Sequence, residues 1–209
     1  MNSTTNDRTS TQDNNTDAAQ PHNYRPKLSF YHANGKGTGS AVRFEAIPAT
    51  GDRDGVVFMT LAQQKSVATG SNEQGNRQHA TFDWTNRVTV KLNFGDLCQM
   101  IPVLKGVSPS IAEGKGLYHD SRATTTIITL AFQTEPCRGH ALEVSRRPKA
   151  GSEPATRIRI LLNAAEAYGL GTVLEQTLGL LAFGIPQPFR PGAATPPAPG
   201  DADDDAPDA

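Results

Sequence analysis

The sequence predicts an α+β fold in which two ββββα repeats give two antiparallel four-stranded sheets packed with helices. Three observations predict it. Segments of the first half of the chain recur in the same order in the second half, which indicates a duplication. Each half contains four short runs rich in β-branched and aromatic residues, and each fourth run leads into a helix-start signal.

The limits of the folded part follow from composition. The chain has 209 residues, of which 36% are hydrophobic. Residues 1–26 and 187–209 contain too few apolar side chains to offset the entropy of ordering them, so we expect two disordered tails. Residues 27–186 then form one domain, with repeats at about 27–106 and 114–186. This body has 17 basic and 13 acidic residues, which favours a polyanionic partner, whereas the C-terminal tail is acidic.

Four matches define the repeat, and they keep the same order in both halves. They pair 28–33 with 116–120, 44–48 with 132–136, 55–65 with 139–149, and 87–93 with 157–163. The third match is gapless, and the fourth is the closest in sequence. A longer polar loop at 66–86 separates the third and fourth segments of the first half.

The strands are expected where apolar and polar residues alternate between turn-forming clusters. They are 28–33, 39–47, 55–64 and 87–92 in the first repeat, and 116–119, 124–134, 139–147 and 156–162 in the second. The alternation is clearest in the two fourth strands. The expected inward residues there are Val88, Val90, Leu92, Ile158, Ile160 and Leu162; the expected outward residues are Arg87, Thr89, Lys91, Arg157 and Arg159.

A helix is predicted after each fourth strand. Asn93 and Asn163 are good N-cap residues, and an acidic residue that can bond back to the cap, Asp96 or Glu166, follows three positions later. The second helix is apolar around most of its circumference, since it carries Leu170, Val173, Leu174, Leu178, Leu181 and Phe183. Such a helix needs more cover than two small sheets supply, which indicates association of subunits.

No residue pattern in the sequence predicts catalysis, a metal site or a cofactor. The loop at 35–40 has neither phosphate-loop nor dinucleotide-binding spacing and is interpreted as a hairpin. His32 and His119 occupy equivalent places after a tyrosine, so each is expected to make a hydrogen bond that supports the fold at a strand end. Cys98 is interpreted as a small core residue. We therefore expect a protein that is not an enzyme.

A single-stranded nucleic acid is the polyanion that the outward residues suit best. Binding without sequence preference needs cations along a surface and aromatic faces on which bases stack. Tyr31, Phe58, Trp84, Tyr118 and Phe132 are candidate stacking rings. The predicted binding residues are Tyr31, Lys36, Arg43, Lys65, Trp84, Arg87, Lys91, Tyr118, Arg122, Arg147, Lys149, Arg157 and Arg159.

Two motifs resemble the Whirly family of plant single-stranded-DNA-binding proteins. Phe82-Asp83-Trp84 stands before a strand and a helix, and Leu117-Tyr118-His119-Asp120 opens the second half, as the family's corresponding motifs do. The loop at 35–40 and the last helix, at 163–183, are similar in position. The resemblance covers about 28–186.

The resemblance implies a homotetramer assembled through the helices, with single strands lying across the sheets and little sequence selectivity. It assigns binding to Lys36 and its loop, and to Lys65, Trp84 and Lys91. The chain departs from the family in having one lysine in this hairpin, no transit peptide and a long acidic tail. These departures favour a bacterial-type, cytoplasmic member.

Two alternatives to single-stranded-DNA binding stay open. One is an RNA-binding or annealing protein, and the other is a protein-interaction module that binds no nucleic acid. The acidic tail at 201–208 is a candidate competitor for the basic face or a docking segment for a protein partner. No apolar run is long enough to span a membrane, so no membrane association is expected.

Overall fold

The computed structural model describes residues 26–71, 77–151 and 154–186, and the two predicted tails lie outside this part of the chain apart from Pro26. All eight predicted strands and both predicted helices are present. In chain order the elements are β1 (Leu28–His32), β2 (Ser40–Ile47), β3 (Val56–Ser66), β4 (Thr69–Ser71), β5 (Arg77–Gln78), β6 (Thr81–Phe82), β7 (Val88–Leu92), α1 (Phe94–Leu104), a 3-10 turn (Ile111–Gly114), β8 (Leu117–Asp120), β9 (Thr124–Gln133), β10 (Gly139–Pro148), β11 (Thr156–Leu162) and α2 (Ala164–Phe183).

The first sheet is built around the long strand β3. On one side β3 pairs with β2, which pairs with β1; on the other it pairs with β7 and, beyond β7, with the short strand β6. The sheet therefore has five strands where four were expected. Strand β3 runs past the end of β7, and β6 supplies partners for its exposed main-chain groups. The expected polar loop at 66–86 thus contains β6 and a two-stranded β4–β5 hairpin.

The second sheet has the four predicted strands, in the antiparallel order β11-β10-β9-β8. In both fourth strands, β7 and β11, the expected inward residues are buried and the arginines and Lys91 are exposed. The predicted α+β class with two similar halves is confirmed.

Strand pairing corrects the register of the third sequence match. Val90 and Ile160 are equivalent in the fourth strands; Val90 pairs with Met59, and Ile160 pairs with Leu142. Met59 therefore takes the place of Leu142, whereas the gapless match pairs Met59 with Glu143. A slip of one residue exchanges the two faces of a strand, so the gapless match sets inward residues against outward ones.

The inner faces of both sheets and one side of each helix form a single hydrophobic core. The two halves also contact each other through their strands, because β11 contacts β2 and β3. There Ser40 Oγ donates a hydrogen bond to the Arg159 carbonyl at 2.6 Å. No helix among the described residues is both long and apolar enough to cross a membrane.

Both helices begin with the predicted capping boxes. The Asn93 side chain accepts from the Asp96 amide in α1, and the Asn163 side chain accepts from the Glu166 amide in α2. In return, the carboxylate of Asp96 or Glu166 accepts a hydrogen bond from the main-chain amide of the asparagine that caps its helix. Cys98, on α1, is exposed rather than in the core, because the apolar stripe of this helix falls on Leu97, Met100 and Leu104.

The two strand-end histidines make the predicted fold-supporting hydrogen bonds, and they do so across the halves. His32 Nε2, in the first half, lies 2.8 Å from Glu166 Oε1 at the start of α2. His119 Nε2, in the second half, lies 3.1 Å from Asp96 Oδ1 at the start of α1. Each capping carboxylate uses one oxygen for its own helix and the other for the opposite half.

His140 on β10 is a buried histidine whose ring nitrogens have no hydrogen-bond partner among the described residues. Burial lowers the pKa of His140, and the nearby Val103 carbonyl opposes this only in part. Between the lowered pKa and the ordinary value of about 6.5, the unfolded chain therefore binds a proton that the folded chain does not. The free energy of unfolding therefore decreases as the pH falls from about 6.5 toward the lowered pKa of His140.

We expect His140→Phe to flatten this part of the stability–pH profile. One proton contributes at most about 1.4 kcal/mol per pH unit to the slope. Urea unfolding of the wild type and the variant between pH 7.5 and 4.5 measures the difference, in a range set around the unperturbed histidine pKa of about 6.5. His79→Phe, at an exposed position, is the control and should leave the slope unchanged. Identical slopes in all three proteins would contradict the assignment to His140.

Candidate nucleic-acid interface

Three rings lie together on the outward face of the first sheet and are called here the aromatic cluster: Tyr31, Phe82 and Trp84. The ring centroids of Tyr31 and Phe82 are 5.5 Å apart, and Tyr31 meets Trp84 edge-on at 6.4 Å. Tyr31 is 53% exposed, so its ring is accessible to a ligand. Phe82 was not among the predicted binding residues. Its position two residues before Trp84, at the start of the same motif, was the signal for it.

A tight turn centred on Asp83 sets the position of Trp84. The Asp83 carboxylate accepts hydrogen bonds from the Thr85 amide at 3.1 Å and from the amide and side chain of Asn86 at 3.1 and 2.8 Å. These bonds, the Asn86 side chain first, hold the pKa of Asp83 below its ordinary value. The Asp83 amide donates to the Gln63 carbonyl at 2.8 Å, which fixes the turn to β3.

Two arginines approach Trp84. The Arg43 guanidinium lies 4.2 Å from the centre of the Trp84 ring, within cation–π distance. Arg87 Nη1 donates to the Trp84 carbonyl at 2.7 Å. Hydrogen bonds from Ser29 and then Arg43 lower the pKa of Tyr31, so Arg43 also faces that ring. The arginines thus place positive charge directly beside the aromatic cluster.

These residues border a shallow depression of about 400 Å³ on the sheet surface. Its lining residues are Lys27, Arg43, Glu45, Phe58, Thr60, Trp84, Arg87 and Thr89. Phe58, a candidate stacking ring, is half-buried on this outward face. Glu45 is the acidic residue in the lining, and it lies 3.5 Å from Lys27 Nζ. The depression thus combines aromatic rings, Phe58 and Trp84, with the basic side chains of Lys27, Arg43 and Arg87, which are the two kinds of group that bind an unpaired base and its phosphate.

The Lys36 hairpin, at 34–39, stands beside this face. Asn34 Oδ1 accepts from the Lys36 and Thr38 amides, and Gly37 supplies the positive φ of 71° that the turn requires. The buried side chain of Gln64 fastens the hairpin to β3. It accepts from the Asn34 and Gly39 amides and donates to the Asn34 and Ser66 carbonyls. Lys36 itself is exposed.

Lys65 and Lys91 lie at opposite ends of the first sheet. Lys65 is exposed near the end of β3, one residue beyond Gln64, which pairs with Phe82. Lys91 pairs with Phe58 across β7 and β3 and lies beside the C-terminal end of α2. The structure therefore brings seven of the thirteen predicted residues to one sheet face or its rim: Tyr31, Lys36, Arg43, Lys65, Trp84, Arg87 and Lys91.

The other six predicted residues belong to the second sheet, where ion pairs and hydrogen bonds engage several of the cations. Tyr118 is 64% exposed and pairs with the exposed Ile127. Lys149 Nζ lies 2.6 Å from Asp120 and Arg157 Nε lies 3.2 Å from Glu143, while Arg159 bonds to Gln133. Arg122 and Arg147 are exposed. This face is less cationic than the sequence alone suggests.

The two groups of predicted residues adjoin at β11. The Gln63 side chain donates to the Arg157 carbonyl at 3.3 Å, and the Ser40 hydroxyl donates to the Arg159 carbonyl. Gln63 also bonds through its carbonyl to Asp83, in the turn that carries Trp84. The strand that bears Arg157 and Arg159 therefore borders the face that bears the aromatic cluster.

Phe132 does not belong to an outward face. It pairs with His140, on the side of the sheet that carries the buried Leu130 and Leu142, and the Arg138 guanidinium lies 5.6 Å from its ring. The sequence match of Phe44 with Phe132 is also displaced, because strand pairing places Phe44 opposite Met59 and its equivalent Leu130 opposite Leu142. The 39% exposure of Phe132 comes from its place near the end of β9.

Comparison with known proteins shows the fold. No protein-family model and no curated protein matches the sequence. The solved structures of WHY1 and WHY3 from Arabidopsis thaliana are similar, with TM-scores of 0.58 and 0.55 and sequence identities of 16% and 13%. The alignments cover 78% and 77% of this chain, and 89% and 90% of those chains. Both are Whirly proteins, so the Whirly-like fold that the sequence resemblance implied is confirmed.

Proposed function

We propose that this protein binds single-stranded DNA with little sequence specificity through the outward face of the first sheet. The observation that carries the proposal is the aromatic cluster with the Arg43 guanidinium 4.2 Å from the Trp84 ring centre. Rings beside fixed cations, on an accessible sheet surface, match the two requirements of single-strand binding: faces for bases and charges for phosphates.

Unpaired strands suit this surface better than duplex. A duplex hides its base faces, and proteins read it with a helix or ribbon inserted in a groove. The described rings lie on a sheet, where only splayed bases can reach them. Stacking and phosphate contacts act on every base alike, so little sequence selectivity is expected. Tyr118, Arg157 and Arg159 of the second sheet extend this surface past β11. The outward face of the first sheet and these three residues together form the proposed strand-binding surface, called here the track.

Fluorescence anisotropy with a labelled strand of about 30 bases tests the proposal, with single- and double-stranded forms compared across a salt series. Binding that uses about four phosphates should show a log–log salt slope near −3. Quenching of Trp84, the single tryptophan of the chain, should accompany binding because bases stack on its ring. Equal affinity for duplex, or no binding in dilute buffer, would contradict the proposal.

Matched strands of poly-dT and poly-U decide between DNA and the RNA-binding alternative. Tighter binding to poly-U would favour an RNA-binding or annealing protein. A protein-interaction module predicts no salt-dependent binding to either. We assign no enzymatic activity, and protection of exposed strands during replication, repair or transfer is the role that sequence-tolerant binding would serve. A bacterial, cytoplasmic setting stays a prediction.

Subunit association through α2 belongs to the same proposal. This 20-residue helix has two charged residues, Glu166 and Glu175, and it leaves Val173 48% exposed and Phe183 90% exposed. A Cβ added at Gly169 or Gly179 would meet nothing within 4 Å, so another helix can approach this side closely. We infer a homo-oligomer, with the tetramer that the family resemblance implies as the expected state.

We expect Val173→Asp to give a smaller species, because a carboxylate at this position would have to be desolvated in a helix–helix contact. Size-exclusion chromatography with light scattering measures the mass. Val107→Asp, which changes another exposed valine outside α2, is the control and should keep the wild-type mass. A wild-type mass equal to one chain would contradict association.

The acidic C-terminal tail, outside the described residues, is proposed to compete with nucleic acid for the basic face. Deleting residues 190–209 removes five aspartates from the segment 201–208. We expect the deletion to raise affinity for a single strand at low salt and to have little effect at high salt, since the competition is electrostatic. Unchanged affinity at low salt would instead leave a protein partner as the role of the tail.

A further inference from the structure

A second cleft adjoins the aromatic cluster at the end of β3. It is shallow and widely open to solvent, and its volume of about 640 Å³ is within the range of small-ligand sites. Its lining residues are Gly37, Lys65, Ser66, Val67, Thr69, Gln78, His79 and Thr81. Thr81 directly precedes Phe82 of the cluster, and Gly37 directly follows Lys36. The cleft thus lies between the cluster and the Lys36 hairpin.

Three short strands between β3 and β7, namely β4, β5 and β6, build one wall of this cleft. Thr69 pairs with Gln78 in the β4–β5 hairpin, and Ser66 pairs with Thr81 where β6 joins the first sheet. Their side chains are bonded to each other: Ser66 Oγ to Thr81 Oγ1 at 2.8 Å, and Thr69 Oγ1 to Gln78 Oε1 at 3.0 Å. These four polar side chains therefore hold the wall together.

The groups left to meet a ligand are Lys65, His79 and Val67. Among the described residues, neither Lys65 nor His79 forms a hydrogen bond or an ion pair, and both are exposed. The charge of Lys65 also helps to lower the pKa of Asp83. The carboxylate oxygens of Asp83 accept hydrogen bonds from Thr85 and Asn86, and neither oxygen is hydrogen-bonded to Lys65. Val67 is 36% exposed and provides an apolar wall. Two basic groups beside an apolar wall suit a phosphate joined to a sugar and a base.

We propose that this cleft binds one nucleotide of the single strand, next to the bases stacked on the aromatic cluster. Lys65 and His79 take the phosphate, and the sugar or base lies against Val67. The inference rests on the proposed function and adds to it a defined end of the track. Because the cleft adjoins one end of the cluster only, it gives the bound strand a fixed starting point and a direction.

The test compares Lys65→Ala/His79→Ala with wild type in anisotropy titrations of dT strands of about 20 and about four bases. For the longer strand we expect an affinity loss of about tenfold at low salt and a salt slope shallower by about 0.7, the value for one phosphate contact. Trp84 quenching at saturation should stay at its wild-type value, because the cluster is intact. The strand of about four bases, which can bind on the cluster alone, should lose less.

Two further variants make the result specific. Lys115→Ala, an exposed lysine in the second half, controls for loss of charge alone and should change affinity little. Val67→Glu puts a carboxylate into the cleft and should weaken the longer strand more than the double variant does. Far-UV circular dichroism checks that each variant is folded.

The outcomes separate the two proposals. A double variant that binds the longer strand as Lys115→Ala does, with the same salt slope, overturns the cleft while Trp84 quenching still supports the track. A wild-type protein that shows neither binding nor quenching overturns the proposed function itself.

Discussion

Replacing Trp84 by alanine is expected to lower affinity for a single strand by about tenfold to 100-fold. One base stacked on an aromatic ring contributes roughly 1–3 kcal/mol. The change also removes the ring beside which the Arg43 guanidinium lies, so this arginine loses its fixed position as well. Anisotropy with a dT strand at constant salt measures the loss.

Trp84→Phe is the matched variant, because it keeps a ring on the Asp83 turn and should retain most of the affinity. Tyr168→Ala removes a ring that is 64% exposed on α2, beside Lys105 and outside the aromatic cluster, and controls for loss of any surface ring. If Trp84→Ala binds as tightly as Tyr168→Ala, base stacking on this cluster is not the source of affinity. The second sheet around Tyr118 would then be the surface to test.

Replacing Gln64 by methionine, which has a similar shape, is expected to cost about 2–4 kcal/mol of unfolding free energy. The Gln64 side chain makes four hydrogen bonds to main-chain groups of residues 34, 39 and 66 and is 7% exposed. Methionine would leave those groups without their partner in a place that water reaches poorly. Urea unfolding measures the loss.

The neighbouring residue supplies the control for Gln64. Gln63→Met removes one exposed hydrogen bond of 3.3 Å to the Arg157 carbonyl, so it should cost less than about 1 kcal/mol. Gln64→Met should also weaken binding of a single strand several-fold, because the hairpin that carries Lys36 loses its attachment to β3. Equal stability of the two variants would show that the hairpin holds its shape without Gln64.

The sequence predicts well those parts of the fold that depend on residues close together in the chain. Alternation in β7 and β11 identifies which residues are buried, and an asparagine with an acid three residues later identifies the start of each helix. The register between paired strands is harder to predict from the sequence. Gly55 and Gly139 align in sequence, yet the strands that follow them differ by one residue, and only pairing with β7 and β11 reveals this.

The candidate site divides in the same way. Trp84 and Tyr31 could be named from sequence, because aromatic residues beside basic ones on strands suggest base stacking. The role of Gln64 could not, since its four partners depend on the path of the hairpin. Nor could the pairing of Arg157 with Glu143 and of Lys149 with Asp120, which join different strands. Contacts between distant segments set the charge of the second face.

The exchange of hydrogen bonds between strand-end histidines and helix-capping acids bears on how this duplicated chain behaves as a unit. His32 reaches Glu166, and His119 reaches Asp96, so each half completes the first turn of the other half's helix. A half-length fragment would expose its helix start with one carboxylate oxygen unmatched. The ancestral repeat would have needed a second copy of itself to supply that histidine, so the two halves are complementary fragments joined in one polypeptide.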